Sequence, residues 1–244
     1  MKHPYQNLWS RIAFCVERNG AAEVFLIPLR MAASPLLVPV LPRHGFVYGG
    51  RTLTPFYHRY NVTWANERML EIPIARSFLE GVSPDEVLEI GNVLSHYDPV
   101  RHAILDKFEQ APGVINEDAL TWEPGRAFER ILSISTFEHI GFDDDDKDPT
   151  GQRILDALRR TRGFLAPKGR LVITAASGYN PAFDGLVRGN RFGSDRCQLY
   201  HRSSRLVWEP CSEERYLGTQ YNAPYAFGNA LVVAEFGPLQ GTAA

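Results

Sequence analysis

Four short stretches of the chain carry residues that can act together. Glu89-Ile90-Gly91-Asn92 closes an apolar run, and Asp106 stands 17 residues beyond Glu89 (106 − 89). Asp118 follows a third apolar segment, and Ser135 leads into Phe137-Glu138-His139. A glycine at a strand end lets backbone approach a ligand closely. An acid at the end of the next strand, at about this spacing, can hold ribose hydroxyls. A carboxylate after the third strand can accept a proton from an adenine amino group. Each feature alone has a plainer reading, since Glu-x-Gly is commonly a turn and an acid ending a strand is commonly a helix cap. Their order along one predicted edge is what points to a nucleoside. His139 suits proton removal because imidazole titrates near neutrality; its plainer reading is a structural residue at a strand end. His96 and His102 near the first loop and second strand are weaker candidates.

These residues need a sheet to position them. The spacing predicts a helix over Thr63 to Glu80, capped by Thr63 and kinked at Pro73. It then predicts strands at 86–91, 103–106, 113–115, 131–135, 170–175, 205–208 and 230–235, with a helix from about 149 to 165. Pro167-Lys168-Gly169 reads as the turn into the fifth strand. Alternating strands and helices imply a parallel sheet with helices on both faces. Right-handed crossovers place the loops after the first four strands along one edge, where ligands of such sheets bind. Residues 1–62 read as an N-terminal arm, or lid, with short strands at Val24–Ile27 and Leu36–Val38. The four prolines between residues 24 and 42 (Pro28, Pro35, Pro39 and Pro42) argue against a helix there.

Three segments resemble class I S-adenosylmethionine (SAM)-dependent methyltransferases. Val87-Leu88-Glu89-Ile90-Gly91-Asn92-Val93-Leu94-Ser95-His96-Tyr97 looks like their first motif. Ile131-Leu132-Ser133-Ile134-Ser135-Thr136-Phe137-Glu138-His139-Ile140-Gly141 looks like the fourth-strand motif. Phe164-Leu165-Ala166-Pro167-Lys168-Gly169-Arg170-Leu171-Val172-Ile173-Thr174 looks like the later helix-to-strand turn. The resemblance spans about residues 63–180. It implies a Rossmann-like α/β fold with a mostly parallel seven-stranded sheet flanked by helices, following the N-terminal extension in a domain of residues 63–244. It implies SAM as cofactor, S-adenosylhomocysteine as product, and a cofactor site at Glu89, Gly91, Asn92, Asp106, Lys107, Asp118 and Ser135. His139 then stands beside the transferable methyl as the catalytic candidate. Val93 and Ser95 occupy places where that family's first loop has further glycines, so the loop is bulkier here. The same missing glycines disfavour a dinucleotide pyrophosphate.

The acceptor is expected to be a small molecule: a sugar, a polysaccharide precursor or a specialised metabolite. Tyr57, His58, Tyr60 and Tyr179 are the candidate acceptor contacts, in aromatic clusters that can equally pack a core. The alternatives are a SAM-binding regulatory protein without turnover, and an aminopropyl-type transferase on the same fold. A net charge of −2 gives no footprint for nucleic acid or an anionic membrane, and a homodimer is compatible with the sequence. Three cysteines fit neither a zinc pattern nor a disulfide framework, and no signal-peptide pattern opens the chain, so a cytoplasmic setting is expected. The run from Asp143 to Asp146 cannot converge on one ion and reads as a solvated helix approach, so no metal is expected.

Overall fold

The computed structural model describes residues 20–143 and 147–239, together with Trp9, Ala13 and Val16. In chain order its elements are α1 (Glu23–Leu37), β1 (Phe46–Tyr48), β2 (Arg51–Leu53), α2 (Arg68–Leu79), β3 (Val87–Ile90), β4 (Ala103–Leu105), β5 (Val114–Ile115) and β6 (Phe128–Ile134). There follow α3 (Gln152–Gly163), β7 (Leu165–Ala176), α4 (Pro181–Val187), β8 (Arg196–Ser204), β9 (Val207–Pro210), α5 (Glu213–Leu217) and β10 (Ala230–Phe236). One compact unit comprises Met1–Ile74, Ala176–Tyr179 and Leu199–Leu231; the other comprises Ala75–Ala175, Asn180–Gln198 and Val232–Ala244. The boundary expected near residue 62 coincides with neither.

The larger sheet has eight strands in the order β5-β4-β3-β6-β7-β10-β8-β9. Its pairs β3–β4, β3–β6, β4–β5 and β6–β7 are parallel, and β8–β9 is antiparallel. The Rossmann-like, mostly parallel sheet expected from the sequence is therefore present. It holds one strand more than the seven expected, and the addition is β8. Its sequence, Arg-Cys-Gln-Leu-Tyr-His-Arg-Ser-Ser, lacks the apolar run that marked the others. Strands β4 and β5 are added outward on one side of β3 and the next strands on its other side, beginning with β6, so strand order reverses between β3 and β6, which is where a doubly wound sheet opens a crevice at its strand ends. Val87-Leu88-Glu89-Ile90 is buried throughout, as a central parallel strand must be.

The helical covering is thinner than strand–helix alternation implied. Only 12 residues join β3 to β4 (102 − 90), with a single 3-10 turn at Leu94–His96, and 8 join β4 to β5 (113 − 105). The helix α3 follows the expected pattern, burying Ile154, Ala157, Leu158 and Thr161 on one stripe. Pro167, Lys168 and Gly169 lie inside β7, at a register shift against β6. A Cβ on Gly169 would fall 2.7 Å from the Phe128 carbonyl, so only glycine lets the strand continue there.

In the first unit, β1 and β2 form an antiparallel hairpin, with Phe46 opposite Leu53. Its two turn residues, Gly49 and Gly50, both have positive φ (60° and 77°), the twist that a two-residue hairpin loop demands. Two expectations are corrected here. Val24–Ile27 and Leu36–Val38 are not strands but lie in α1 and its C-terminal cap, Val38; the helix accommodates Pro28 and Pro35. The two prolines are seven residues apart, so the gaps they leave in the hydrogen-bond ladder share one face. An ion pair within the helix, Arg30 to Glu23 at 2.6 Å, and a tertiary contact, Ser34 Oγ accepting a hydrogen bond from Trp64 Nε1 at 3.0 Å, hold it. The second correction is that α2 begins at Arg68, not Thr63. Thr63 sits in a 3-10 segment, Tyr60–Ala65, and its hydroxyl donates to the Phe56 carbonyl instead of capping the helix.

Candidate functional site

The reversal point of the sheet gathers the predicted residues of the first two strands into one hydrogen-bonded knot. Glu89 is fully buried in β3, between Ile104 of β4 and Leu132 of β6. One carboxylate oxygen accepts the N–H groups of Val93 (2.9 Å) and Leu94 (2.8 Å). The other lies 2.7 Å from Nε2 of His102, which is nearly as buried. Glu89 thus spends its oxygens on the turn that follows its own strand.

Gly91 has φ +87°, a conformation that favours glycine. A Cβ there would fall 2.1 Å from Thr136 Oγ1, so the ends of β3 and β6 approach too closely for any side chain. Asn92 donates its N–H to Asp106 Oδ2 at 3.0 Å, and its side-chain oxygen accepts from Ser95 Oγ. Asp106 Oδ1 accepts the N–H groups of Phe108 (2.8 Å) and Glu109 (2.7 Å). One half-buried carboxylate therefore ties the loop after β3 to the loop after β4. A carboxylate offers about four lone-pair directions, and three are taken here, so one hydroxyl donor can still be received, on Oδ2.

Lys107 and Asp118 form an ion pair at 2.9 Å. Burial opposes the charge on Asp118, but the Leu120 N–H and Lys107 outweigh it and hold the carboxyl below its usual range. Ser135, just past β6, has φ 40°, which is strained for a residue with a Cβ. Its N–H donates to the Thr174 carbonyl at 3.0 Å. In the next turn His139 is partly exposed, and its Nδ1 lies 2.5 Å from Asp143 Oδ2. That partner was not foreseen. By sequence the acidic run reads as solvated, yet the Asp143 side chain is 10% exposed and points at the histidine. Asp144 to Asp146 lie outside the described residues. The four-residue spacing of His139 and Asp143 carries no signal of its own, because Ile140 is extended and Gly141 has positive φ, so no helix joins them. Glu138, next to His139 in the chain, is buried, and its carbonyl accepts from Asn180 Nδ2 at 2.8 Å. Among the described residues no group of three or more His, Cys, Asp or Glu side chains is arranged to hold a metal ion.

No protein-family profile and no curated protein matches this chain. Similar solved structures include an N-methyltransferase, NodS, from Bradyrhizobium japonicum in complex with S-adenosylhomocysteine: 15% identity, 70% of this chain and 86% of that one, TM-score 0.43. Another is a Burkholderia thailandensis 1,6-didemethyltoxoflavin-N1-methyltransferase: 11% identity, 81% of this chain and all of that one (100%), TM-score 0.42. A TehB-like SAM-dependent methyltransferase from Corynebacterium glutamicum shows 18% identity over 67% of this chain and 86% of its own, TM-score 0.38. Likenesses this remote add nothing to the topology and geometry described above.

The candidate acceptor residues belong to the other compact unit. Tyr57 is buried, and its hydroxyl donates to the Pro42 carbonyl at 2.8 Å. Burial raises its pKa, against the opposing pull of Arg43 and Arg202. His58 stacks on Phe56 at 5.9 Å, and its Nδ1 accepts the Tyr60 N–H at 3.1 Å. Tyr60 is exposed, and Tyr179 is buried edge-on to Tyr221 at 5.2 Å. Tyr57 and Tyr179 thus have clear packing roles. The same unit holds a buried charge cluster that the sequence did not announce. Glu67 accepts the Gly228 N–H at 2.9 Å, and Glu71 pairs with Arg68 at 2.5 Å. Arg202 donates to the carbonyls of Ala65 and Arg205 and lies over the Tyr225 ring at 4.8 Å. Burial, partly offset by Glu67, pulls Arg202 down to about 10.

Proposed function

We propose that the chain is a SAM-dependent methyltransferase acting on a small-molecule acceptor. The observation that carries this reading is the knot at the strand reversal: Gly91 pressed against Thr136, with Asp106 bridging both loops. It suits a nucleoside that brings positive charge. The first-loop N–H groups that would cradle a phosphate are filled by Glu89, and a lone 3-10 turn stands where a phosphate-binding helix N-terminus would be. The half-buried Asp106 carboxylate complements a cofactor that carries a sulfonium and an ammonium, while the fully buried Glu89 acts through the loop it holds.

In this reading Asp106 holds a ribose hydroxyl on its open Oδ2 direction, and Asp118 and Lys107 border the adenine. Gly91, Asn92 and Ser135 line the strand ends. Bound SAM supplies a methyl group activated on sulfur. The protein's task is alignment of the acceptor and removal of its proton. Asp143 holds the His139 ring by Nδ1, which places the lone pair of the neutral imidazole on Nε2, the atom that takes the acceptor proton. Tyr57, His58, Tyr60 and Tyr179 remain proposed acceptor contacts, with Tyr60 the most exposed of them.

Calorimetry with SAM and S-adenosylhomocysteine tests the cofactor. Single-turnover transfer against pH, after an acceptor screen, tests the base. His139→Ala should slow transfer by about 10²–10⁴-fold and remove the histidine limb of the pH profile. Its affinity for S-adenosylhomocysteine should stay as in the wild type. A wild-type protein that binds neither nucleoside would overturn the whole reading; an unchanged profile in the variant would remove His139 alone.

A further inference from the structure

Helix α1 is built the wrong way round for a surface helix. Its buried side is polar: Glu23 and Ser34 are buried, Arg30 pairs with Glu23, and Ser34 Oγ donates to the Arg30 carbonyl at 2.7 Å. Its outer side is apolar. Phe25 is 78% exposed, Leu29 64%, Leu36 80%, and Val40 just beyond the helix 75%. Leu26 and Leu37 flank them, each 37% exposed. Exposed apolar stripes of this kind mark surfaces that are covered in use.

The spacing says by what. Phe25, Leu29, Ala32 and Leu36 are all exposed and follow one another at intervals of 4, 3 and 4, the 3.5-residue repeat that keeps a seam facing a partner helix. Small Ala32 sits near the middle of the seam. Two copies related by a two-fold axis there would set Phe25 and Leu29 of one against Leu36 and its surroundings on the other, as a self-complementary interface requires. Covering the six large side chains removes roughly 600 Å² per copy, close to the about 800 Å² per partner of a standard interface. A lipid surface would call for cations beside the stripe. Arg30, the one charged residue between 24 and 42, is turned to Glu23, and Arg43 lies over the Tyr57 ring at 5.4 Å.

We propose that the outer face of α1, Phe25-Leu29-Ala32-Leu36, is the two-fold interface of a homodimer. This stands independently of the activity proposed above. The test is sedimentation velocity of the full chain at up to about 100 µM, with Leu29→Glu and Leu36→Glu as variants whose exposed positions leave the fold intact. A two-fold axis places each new charge opposite the apolar patch twice, so dimer dissociation should strengthen by about 100-fold or more while thermal melting of the monomer is unchanged. Ala32→Cys, with the three native cysteines replaced by serine, should give a covalent dimer on mild oxidation. A monomeric wild type, or a dimer indifferent to both charges, would overturn the proposal. So would a monomer that binds phosphatidylcholine–phosphatidylserine vesicles through Leu29, or one that dimerises only after residues 1–19 are removed.

Discussion

Replacing Glu89 with alanine isolates the group on which the predicted cofactor loop hangs. The carboxylate accepts two backbone N–H bonds, from Val93 and Leu94, and contacts His102, all in an interior position. A hydrogen bond to a charged group contributes about 1.5–3 kcal/mol, and an orphaned buried donor costs a similar amount. Three such contacts are not additive, so a loss of about 4–6 kcal/mol follows. That is a large fraction of the about 5–15 kcal/mol by which domains are stable. Glu89→Gln keeps an acceptor for the two amides and a polar group for His102, and should lose only about 1–2 kcal/mol. Urea unfolding at 25 °C measures both, and hydrogen exchange at the Val93 and Leu94 amides reports the loop directly. Protection there should collapse in the alanine variant and survive in the glutamine one. A loss below about 1 kcal/mol in Glu89→Ala, or unchanged protection, would refute the claim that this side chain organises the loop.

Gly91→Ala should destabilise the protein as well as weaken nucleoside binding, because its Cβ meets Thr136 at a positive φ; Thr136→Ala in the same chain should restore part of the thermal stability, and no restoration would count against that contact. Asp143→Asn should slow methyl transfer about tenfold or more with S-adenosylhomocysteine affinity retained on calorimetry; equal loss of both would make the His139–Asp143 contact structural. Glu67 is held above its ordinary value near 4.5 by burial and then by Glu71. The folded state therefore binds this proton more tightly than the unfolded chain, and stability should fall as pH rises from about 4.5 through the raised value. Melting temperatures of Glu67→Gln across that range should lack this slope, and an identical slope in the two proteins would acquit Glu67.

The central sheet was legible because its strands announce themselves. Val87–Ile90, Ile131–Ile134 and Leu171–Ala176 are apolar runs closed by residues that favour turns, and a strand buried on both faces needs nothing else. The order Glu89, Gly91, Asp106, Asp118 and Ser135-His139 likewise placed every one of these residues at a strand end or in the loop after it, since strand direction and crossover handedness leave few choices. Pattern alone could not assign α1. Its prolines argue against a helix locally, and the Trp64–Ser34 bond that helps hold it joins residues 30 positions apart. The polar strand β8 was invisible because its place between β10 and β9, and not its own periodicity, makes it a strand. At the site, residue types suggested ligands, but only the fold decided where each side chain points. Glu89 turns to the loop amides because a buried carboxylate must find donors, and the nearest are the N–H groups of Val93 and Leu94 and the ring of His102. Asp143 turns to His139 because the intervening turn, with Ile140 extended and Gly141 at φ 69°, closes with the Asp143 N–H donating to the His139 carbonyl, a conformation that four positions in a sequence do not by themselves imply.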